Sequence, residues 1–181
     1  MRRAIKLHGK IVQAYRLGTK HPVIDELLEK GLIREMGSGK YQLFSQEAVN
    51  GSGQEAVNGD YVRLDSTGHP YPNSSEYVEK NLRHVGEDDF EQIPSPVEIW
   101  TIDDEMCPEI EFLIRCKNLT VNEKDEKKYF TAPLWGTFLS AARNAVIVFY
   151  EIERDKTGKI IDADFNFVER KEFEKTYKLL G

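Results

Sequence analysis

The chain has 181 residues, a length that suits one domain or two small ones of about 90 residues each. Asp and Glu outnumber Lys and Arg by 31 to 25, and the net charge of −6 argues against a general nucleic-acid binder. No apolar run approaches the about 18 residues that span a membrane, and no apolar signal segment follows the basic residues 1–6. Two cysteines cannot make a disulfide framework, so we expect a cytoplasmic protein.

The first half shows a regular order of predicted elements. They are, in chain order, a strand at 11–17, a helix from Pro22, strands near Tyr41 and at 60–64, a hairpin turn at 65–68, and a closing helix with Tyr77, Val78 and Leu82. In the turn, Asp65 opens the loop with its side chain and Gly68 takes the left-handed position that closes it.

A short direct repeat lies inside this half. Gln-Glu-Ala-Val-Asn-Gly occurs at 46–51 and again at 54–59, with Gly51-Ser52-Gly53 between the copies. Because Asn-Gly favours tight turns, the repeat predicts two adjacent strands joined by a hairpin tip. Strand signals flank both sides, whereas a phosphate-binding loop needs a strand-to-helix junction, so we interpret the glycines as structural.

The second half repeats the order. Its predicted elements are a strand at 97–102, a helix around Pro108, a strand-rich stretch from Tyr129 to Ile152 in which residues 145–150 form a strand buried on both faces, the turn Asp155-Lys156-Thr157-Gly158, and a final amphipathic helix at 169–180. The acidic residues 103–105 are expected to open the helix around Pro108, and Cys116 is expected to be a small buried residue.

Four landmarks recur at a slowly growing separation, as loop insertions would produce. Pro22 and Pro108, Tyr41 and Tyr129, Gly68 and Gly158, and Tyr77 and Phe173 are 86, 88, 90 and 96 residues apart. We therefore predict an internal duplication: an α+β protein of two related halves, each built as strand, helix, antiparallel strands with a hairpin, and closing helix. The predicted boundaries are 1–88 and 97–181, joined by an acidic, proline-containing linker at 89–96 or packed as one domain.

Gly59-Asp60-Tyr61, Gly68, Tyr71-Pro72 and Tyr77 form the pattern Gly-Asp-Tyr, six residues, Gly, two residues, Tyr-Pro, four residues, aromatic. In this pattern the chain resembles a group of small phage and prophage proteins over residues 4–85. In the second half the pattern has decayed, with Val148-Phe149-Tyr150 and Phe167-Val168 in the corresponding places. The resemblance implies a mobile-element origin and no reaction.

Motifs for chemistry are not found in the sequence. The four histidines and two cysteines lack zinc-site spacing, and Asp162-Ala163-Asp164 lacks the glycine and glutamate of a calcium loop. No hydrolase, Walker or dinucleotide motif is present. We therefore expect no catalytic residue, no metal and no cofactor.

Aromatic residues beside turns are the remaining candidates, because aromatics with polar tips are enriched at interfaces. The residues that we select are Tyr61, His69, Tyr71, Trp135 and Asp164. Trp135, between Pro133 and Gly136, fits a regular strand poorly and marks residues 131–136 as a loop. The leading hypothesis is a non-enzymatic module that binds a protein partner or itself; the alternative is a small-ligand binder or enzyme that uses a cleft between the halves.

Overall fold

A computed structural model describes residues 1–45 and 53–181. The chain forms two compact units: unit 1 contains Met1–Leu7 and Pro94–Gly181, and unit 2 contains His8–Ile93. Helices and antiparallel strands occur in both units, so the predicted α+β class is confirmed. Among the described residues, no helix has the length and apolar character needed to cross a bilayer.

The described helices are α1 (Pro22–Glu29), α2 (Ser75–Asn81), α3 (Pro108–Cys116) and α4 (Arg170–Thr176). The described strands are β1 (Arg2–Lys6), β2 (Ile11–Gln13), β3 (Tyr15–Arg16), β4 (Ile33–Gly37), β5 (Lys40–Leu43), β6 (Gln54–Val57), β7 (Tyr61–Leu64), β8 (Pro70–Asn73), β9 (Leu82–His84), β10 (Asp89–Gln92), β11 (Val97–Trp100), β12 (Thr120–Val121), β13 (Phe130–Leu134), β14 (Thr137–Ala141), β15 (Val146–Arg154), β16 (Ile160–Val168) and β17 (Tyr177–Leu180).

Unit 1 is built on a five-stranded antiparallel sheet in the order β16-β15-β11-β1-β17. The first four residues of β15 are buried, which confirms the predicted buried strand with apolar residues on both faces. One core cluster joins the sheet to α3 and β13, and a second surrounds Ala4, Phe173 and Tyr177. The small sheet β12-β13-β14 completes the unit.

Unit 2 carries two three-stranded sheets, β2-β10-β9 and β3-β7-β8, and a third sheet β4-β5-β6. Only Ala14 separates β2 from β3, and its N–H donates to the carbonyl of Asp88 at 3.0 Å. The two hairpin turns at 65–68 and 155–158 form as predicted, with φ near 85° at Gly68 and Gly158. The second copy of the short repeat forms β6, which pairs with β5; the first copy, at 46–51, lies outside the described residues.

The observed division of the chain differs from the predicted boundaries at both ends of the first half. Residues 2–6 belong to the sheet of unit 1, and residues 89–92, predicted as linker, form β10 in unit 2. The acidic composition was misleading, because Phe90 and the carboxylate of Glu91 are both buried. Glu91 is partnered there by the N–H of Gly9 at 2.9 Å and by Arg83.

The final helix is shorter than predicted. It ends at Thr176, and Tyr177–Leu180 is a strand paired with β1. Phe173 and Tyr177 are four residues apart, which is the spacing of neighbours on one face of a helix, and their rings stack with centroids 4.8 Å apart. Only Phe173 is in the helix, however, because Tyr177 begins the strand. Beyond Thr176, the backbone N–H and C=O groups form their hydrogen bonds with β1. This pairing with a distant strand cannot be predicted from the local spacing of apolar residues.

Two further expectations about α3 are corrected. The acidic residues 103–105 precede the helix, which begins at Pro108, and the Asp104 carboxylate accepts from the Thr101 N–H at 2.7 Å. Cys116, expected to be buried, is exposed at the last turn of the helix, and Cys107 is half-buried. The apolar face of α3 is instead supplied by Ile110, Phe112 and Leu113.

The start of α1 depends on one histidine. The Nδ1 atom of His21 accepts from the N–H of Val23 at 3.1 Å and so acts as the N-cap, and Pro22 occupies the first helical position. Because Nδ1 accepts, Nε2 carries the proton, which it donates to Asp88 Oδ2 at 2.9 Å. His21 therefore ties the helix to the turn before β10.

Replacing His21 with Ala should lower the free energy of unfolding of unit 2 by about 1–2 kcal/mol, because both the cap and the bond to Asp88 are lost. His21→Asn, which keeps a cap acceptor, should cost less. Urea titration followed by amide hydrogen exchange of residues 8–93 measures the difference. Equal losses for the two variants would contradict the capping role.

Candidate functional site

Three of the five candidate residues lie in unit 2, on or beside the β7–β8 hairpin. Tyr61 and Tyr71 share one face of the hairpin, since Tyr71 lies opposite Arg63 and residues 61 and 63 alternate with the buried Val62. The Tyr61 ring meets Phe90 edge-on at 5.5 Å and packs on the core around β10. The Arg63 guanidinium lies 5.5 Å from the ring centre of Tyr71. These contacts give both tyrosines a packing role.

His69 belongs to the turn that precedes β8. Its Nδ1 lies 2.8 Å from the Thr67 hydroxyl, and its backbone N–H donates to Asp65 Oδ1 at 3.0 Å. The same carboxylate oxygen accepts from the Thr67 hydroxyl at 2.6 Å. The Thr67 hydroxyl bond, followed by the His69 backbone bond, lowers the pKa of Asp65 below its ordinary value.

Trp135 occupies the two-residue turn between β13 and β14. Leu134 pairs with Thr137, and Trp135 and Gly136 have φ of 49° and 78°, so both lie in the left-handed region that this tight turn requires. Asn-Gly is the favoured pair for such a turn, whereas a bulky aromatic residue there is strained. Residues 130–134 form a regular strand, so the predicted loop is confined to the turn itself.

A surface pocket of about 280 Å³ lies beside the turn, between three segments of unit 1. Its lining comes from the end of α3, the end of β13 with the turn, and the middle of β16: Cys116, Lys117, Asn118, Pro133, Leu134, Trp135, Ala163, Asp164 and Phe165. The structure thus brings together two of the five candidates, Trp135 and Asp164. We call Pro133, Trp135, Phe138 and this pocket the Trp135 surface.

The Trp135 surface is strongly exposed and apolar at its outer edge. The Trp135 side chain is 70% exposed and that of Phe138 is 73% exposed. Phe138 lies opposite Pro133 across the β13–β14 pair, so both project from the same face of the hairpin. Large apolar side chains grouped in this way are typical of interaction sites.

The C-terminal end of α3 forms one side of the pocket lining. Asn118 ends the helix in the left-handed conformation with φ of 54°, and the N–H groups of Lys117 and Leu119 both donate to the Leu113 carbonyl at 3.0 Å. The C-terminus of a helix carries a partial negative charge. This end of the pocket therefore favours positively charged groups.

A row of carboxylates continues along the β15–β16 ribbon. Asp164 lies opposite Glu151, and Asp162 lies opposite Glu153; all four side chains are exposed on one face. Like charges placed opposite each other in a sheet are destabilising. The Lys117 ammonium lies 2.5 Å from Asp162 Oδ1, and this bond lowers the pKa of Asp162. Lys117 is thus engaged by Asp162 and offsets only part of the negative charge.

The sequence analysis selected Asp164 and considered Asp162 beside it, but it did not place Glu151 and Glu153 opposite these residues. The signal was present, since the predicted turn at 155–158 folds two strands of alternating polarity onto each other. The register, which pairs residue 151 with 164 after an irregularity near Tyr150, was needed to place the carboxylates side by side.

Two further surface pockets are formed by described residues other than the five candidates. A pocket of about 460 Å³ in unit 2 is bordered by Lys10, Gln13, Arg63 and Asp89, among others, and one of about 410 Å³ in unit 1 by Asp103, Glu126 and Arg143. In the parts of the chain that the structure covers, no three His, Cys, Asp or Glu side chains are grouped to hold a metal ion. The cleft between the halves stays a prediction.

Comparisons of the chain with protein-family models, with curated proteins and with solved structures found no match. The assignment of a function therefore depends on the geometry of the site.

Replacing Thr67 with Val should raise the pKa of Asp65 toward its ordinary value, because the hydroxyl bond is the largest cause of its depression. Asp155, which accepts the same set of bonds from Thr157 and Lys159, provides the reference within the chain. The lowered pKa of Asp65 stabilises the folded protein at pH values above the carboxyl pKa of the unfolded chain, and this stabilisation is lost as the pH falls through the folded-state pKa. Carboxyl NMR titration should show a raised pKa for Asp65 in Thr67→Val and an unchanged pKa for Asp155. An unchanged pKa of Asp65 would contradict this account.

Replacing Trp135 with Asn should stabilise unit 1 by about 1 kcal/mol, since Asn accepts the left-handed conformation at little cost. Phe138→Thr, which leaves the turn unchanged, is the control and should not relieve this strain. Thermal unfolding followed by the fluorescence of the buried Trp100 measures both variants. A clear loss of stability in Trp135→Asn would show that the indole supports the fold.

Proposed function

We propose that unit 1 is a non-enzymatic binding module that recognises a basic segment of a partner protein through the Trp135 surface. The observation that carries the proposal is a tryptophan held 70% exposed at a left-handed position of a two-residue turn. Exposure and backbone strain both oppose folding, and such strain is concentrated at functional sites. A binding role accounts for both costs.

The partner's charge is inferred from what surrounds the indole. An aromatic face attracts cations, with tryptophan the strongest of the aromatic residues. Asp164 lines the same pocket, the α3 C-terminus supports positive charge, and Glu151 extends the negative row along the ribbon. An Arg or Lys side chain lying over Trp135 and pairing with Asp164 would satisfy both features.

The apolar part of the surface favours a protein as the source of this cation. Phe138 and Pro133 extend the contact beyond the pocket, and a polypeptide supplies apolar groups next to its basic residues. Trp and Arg are also the residue types that most often dominate the affinity of protein interfaces. The phage-related origin and the cytoplasmic location expected from the sequence form part of the same proposal.

The first test uses three synthetic peptides of equal length: one rich in Arg and Lys, one with Glu in their place, and one neutral. The basic peptide should bind and shift the emission of the exposed Trp135, while the emission of Trp100, which is only 2% exposed, stays constant. Trp135→Asn should weaken binding by about tenfold, within the range expected for loss of a cation–π contact. Asp164→Asn should weaken binding in the same direction.

Glu174→Gln supplies the charge-matched control, because Glu174 is exposed on α4 and takes no part in the Trp135 surface. It should leave binding unchanged. Equal binding by wild type and Trp135→Asn, or equal binding of the basic and acidic peptides, would contradict the proposal. Dimerisation in sedimentation experiments that Trp135→Asn abolishes would instead identify a second copy of the chain as the partner.

A further inference from the structure

We propose that unit 1 and unit 2 are two copies of one module that have exchanged their first strands. In this proposal the first copy consists of β1–β9 and the second of β10–β17. The opening strand of the first copy, β1, completes the sheet of unit 1, and the opening strand of the second copy, β10, completes the sheet of unit 2. The chain is then a covalently joined, strand-exchanged pair.

The strand orders of the two units support this proposal. In unit 1, β1 lies between β11 and β17; in unit 2, β10 lies between β2 and β9. Beyond them, β11 pairs with β15 and then β16, as β3 pairs with β7 and then β8. The small sheets β12-β13-β14 and β4-β5-β6 also correspond. Because β2 and β3 are separated only by Ala14, they occupy together the place of β11.

The registers agree residue by residue around the exchanged strands. Ala4 lies opposite Val97 and Leu179, and Phe90 lies opposite Val12 and His84. Val12 and Val97 are 85 residues apart, and His84 and Leu179 are 95 residues apart. A single alignment of the two copies therefore satisfies both neighbours of the exchanged strand.

Two other places follow the same alignment. Tyr15 lies opposite Val62 in unit 2, and Trp100 lies opposite Ile147 in unit 1. Tyr15 and Trp100 are 85 residues apart in the sequence, and so are Val62 and Ile147. The hairpin turns at 65–69 and 155–159 carry the same hydrogen bonds. In each turn the Asp carboxylate accepts from the Thr N–H at 2.8 Å and from the Thr hydroxyl at 2.6 Å.

The segments that connect the exchanged strands to the next strand have equal lengths. Residues 7–10 join β1 to β2, and residues 93–96 join β10 to β11. Within unit 2, the segment that leads into β2 is hydrogen-bonded to the end of β10. The Gly9 N–H donates to Glu91 Oε1 at 2.9 Å, and the Gln92 N–H donates to the Lys10 carbonyl at 2.9 Å. A methyl group on Gly9 would overlap the Gln92 carbonyl oxygen, so glycine is required at this crossing.

Strand exchange defines the kind of partner that one module needs. A copy that begins with its own first strand gives that strand away and must receive one from another copy. A chain with a single module would therefore assemble as a strand-exchanged dimer. In the present protein the second copy is supplied within the same chain.

The test uses the full chain and two mild substitutions, one in each exchanged strand. Ala4→Ser places a hydroxyl at a fully buried site of β1, and Phe90→Leu removes part of a buried ring from β10. Arg3→Gln and Ile93→Thr, at exposed positions in or next to the same strands, are the controls. Amide hydrogen exchange of the folded protein is then measured segment by segment.

Ala4→Ser should accelerate exchange about tenfold in β11 and β17 and leave residues 8–93 unchanged. Phe90→Leu should accelerate exchange in β2 and β9 and leave residues 94–181 unchanged. Each substitution thus affects strands of the other copy: the change in β1 of the first copy affects β11 and β17, and the change in β10 of the second copy affects β2 and β9. The proposal is overturned if Ala4→Ser acts on β2 and β9, if Phe90→Leu acts on β11 and β17, or if either variant acts on both sets.

Discussion

The pairing of β1 with both β11 and β17 is the interaction on which the rest of unit 1 depends. β1 lies between β11 and β17, which both come from residues 94–181. Without β1, the edges of β11 and β17 that face it would have no hydrogen-bonding partner. Ala4 at its centre is completely buried against Ile99, Val146 and Phe173, so a larger side chain would have to displace the core. The first residues of the chain therefore hold together a unit whose other elements lie about 90 residues away in the sequence.

Much of the local structure could be predicted because it is specified locally. The prolines at 22 and 108 begin the helices at their first turn, and the Asp and Gly residues of the two hairpin turns take the conformations that their side chains favour. The strand at 146–149 was predictable because apolar residues on both faces are typical of a buried strand.

The errors arose where a distant strand determines the structure. Tyr177 continues the helical spacing of Phe173, yet its backbone pairs with β1. Asp89 and Glu91 have the composition of a linker, yet Glu91 is buried because Gly9 and Arg83 satisfy its carboxylate. The position of Trp135 beside a turn could be predicted because Pro133 and Gly136 flank it, but its acidic surroundings depend on the register of β15 and β16. The composition of a segment predicts neither which strand it pairs with nor the register of that pairing.

Unit 1 combines features that oppose folding with an extensive core. The strained turn at Trp135 and the facing carboxylates of β15 and β16 each cost stability, while the nine-residue strands β15 and β16 anchor the largest buried cluster among residues 1–45 and 53–181. A protein tolerates unfavourable groups only where the surrounding core overdetermines the conformation. The β13–β14 hairpin meets this condition, since Phe130, Ala132 and Leu134 are buried in the cluster while Trp135 projects outward. The same strand thus supplies the packing that fixes the turn and the exposed aromatic residue that the turn presents.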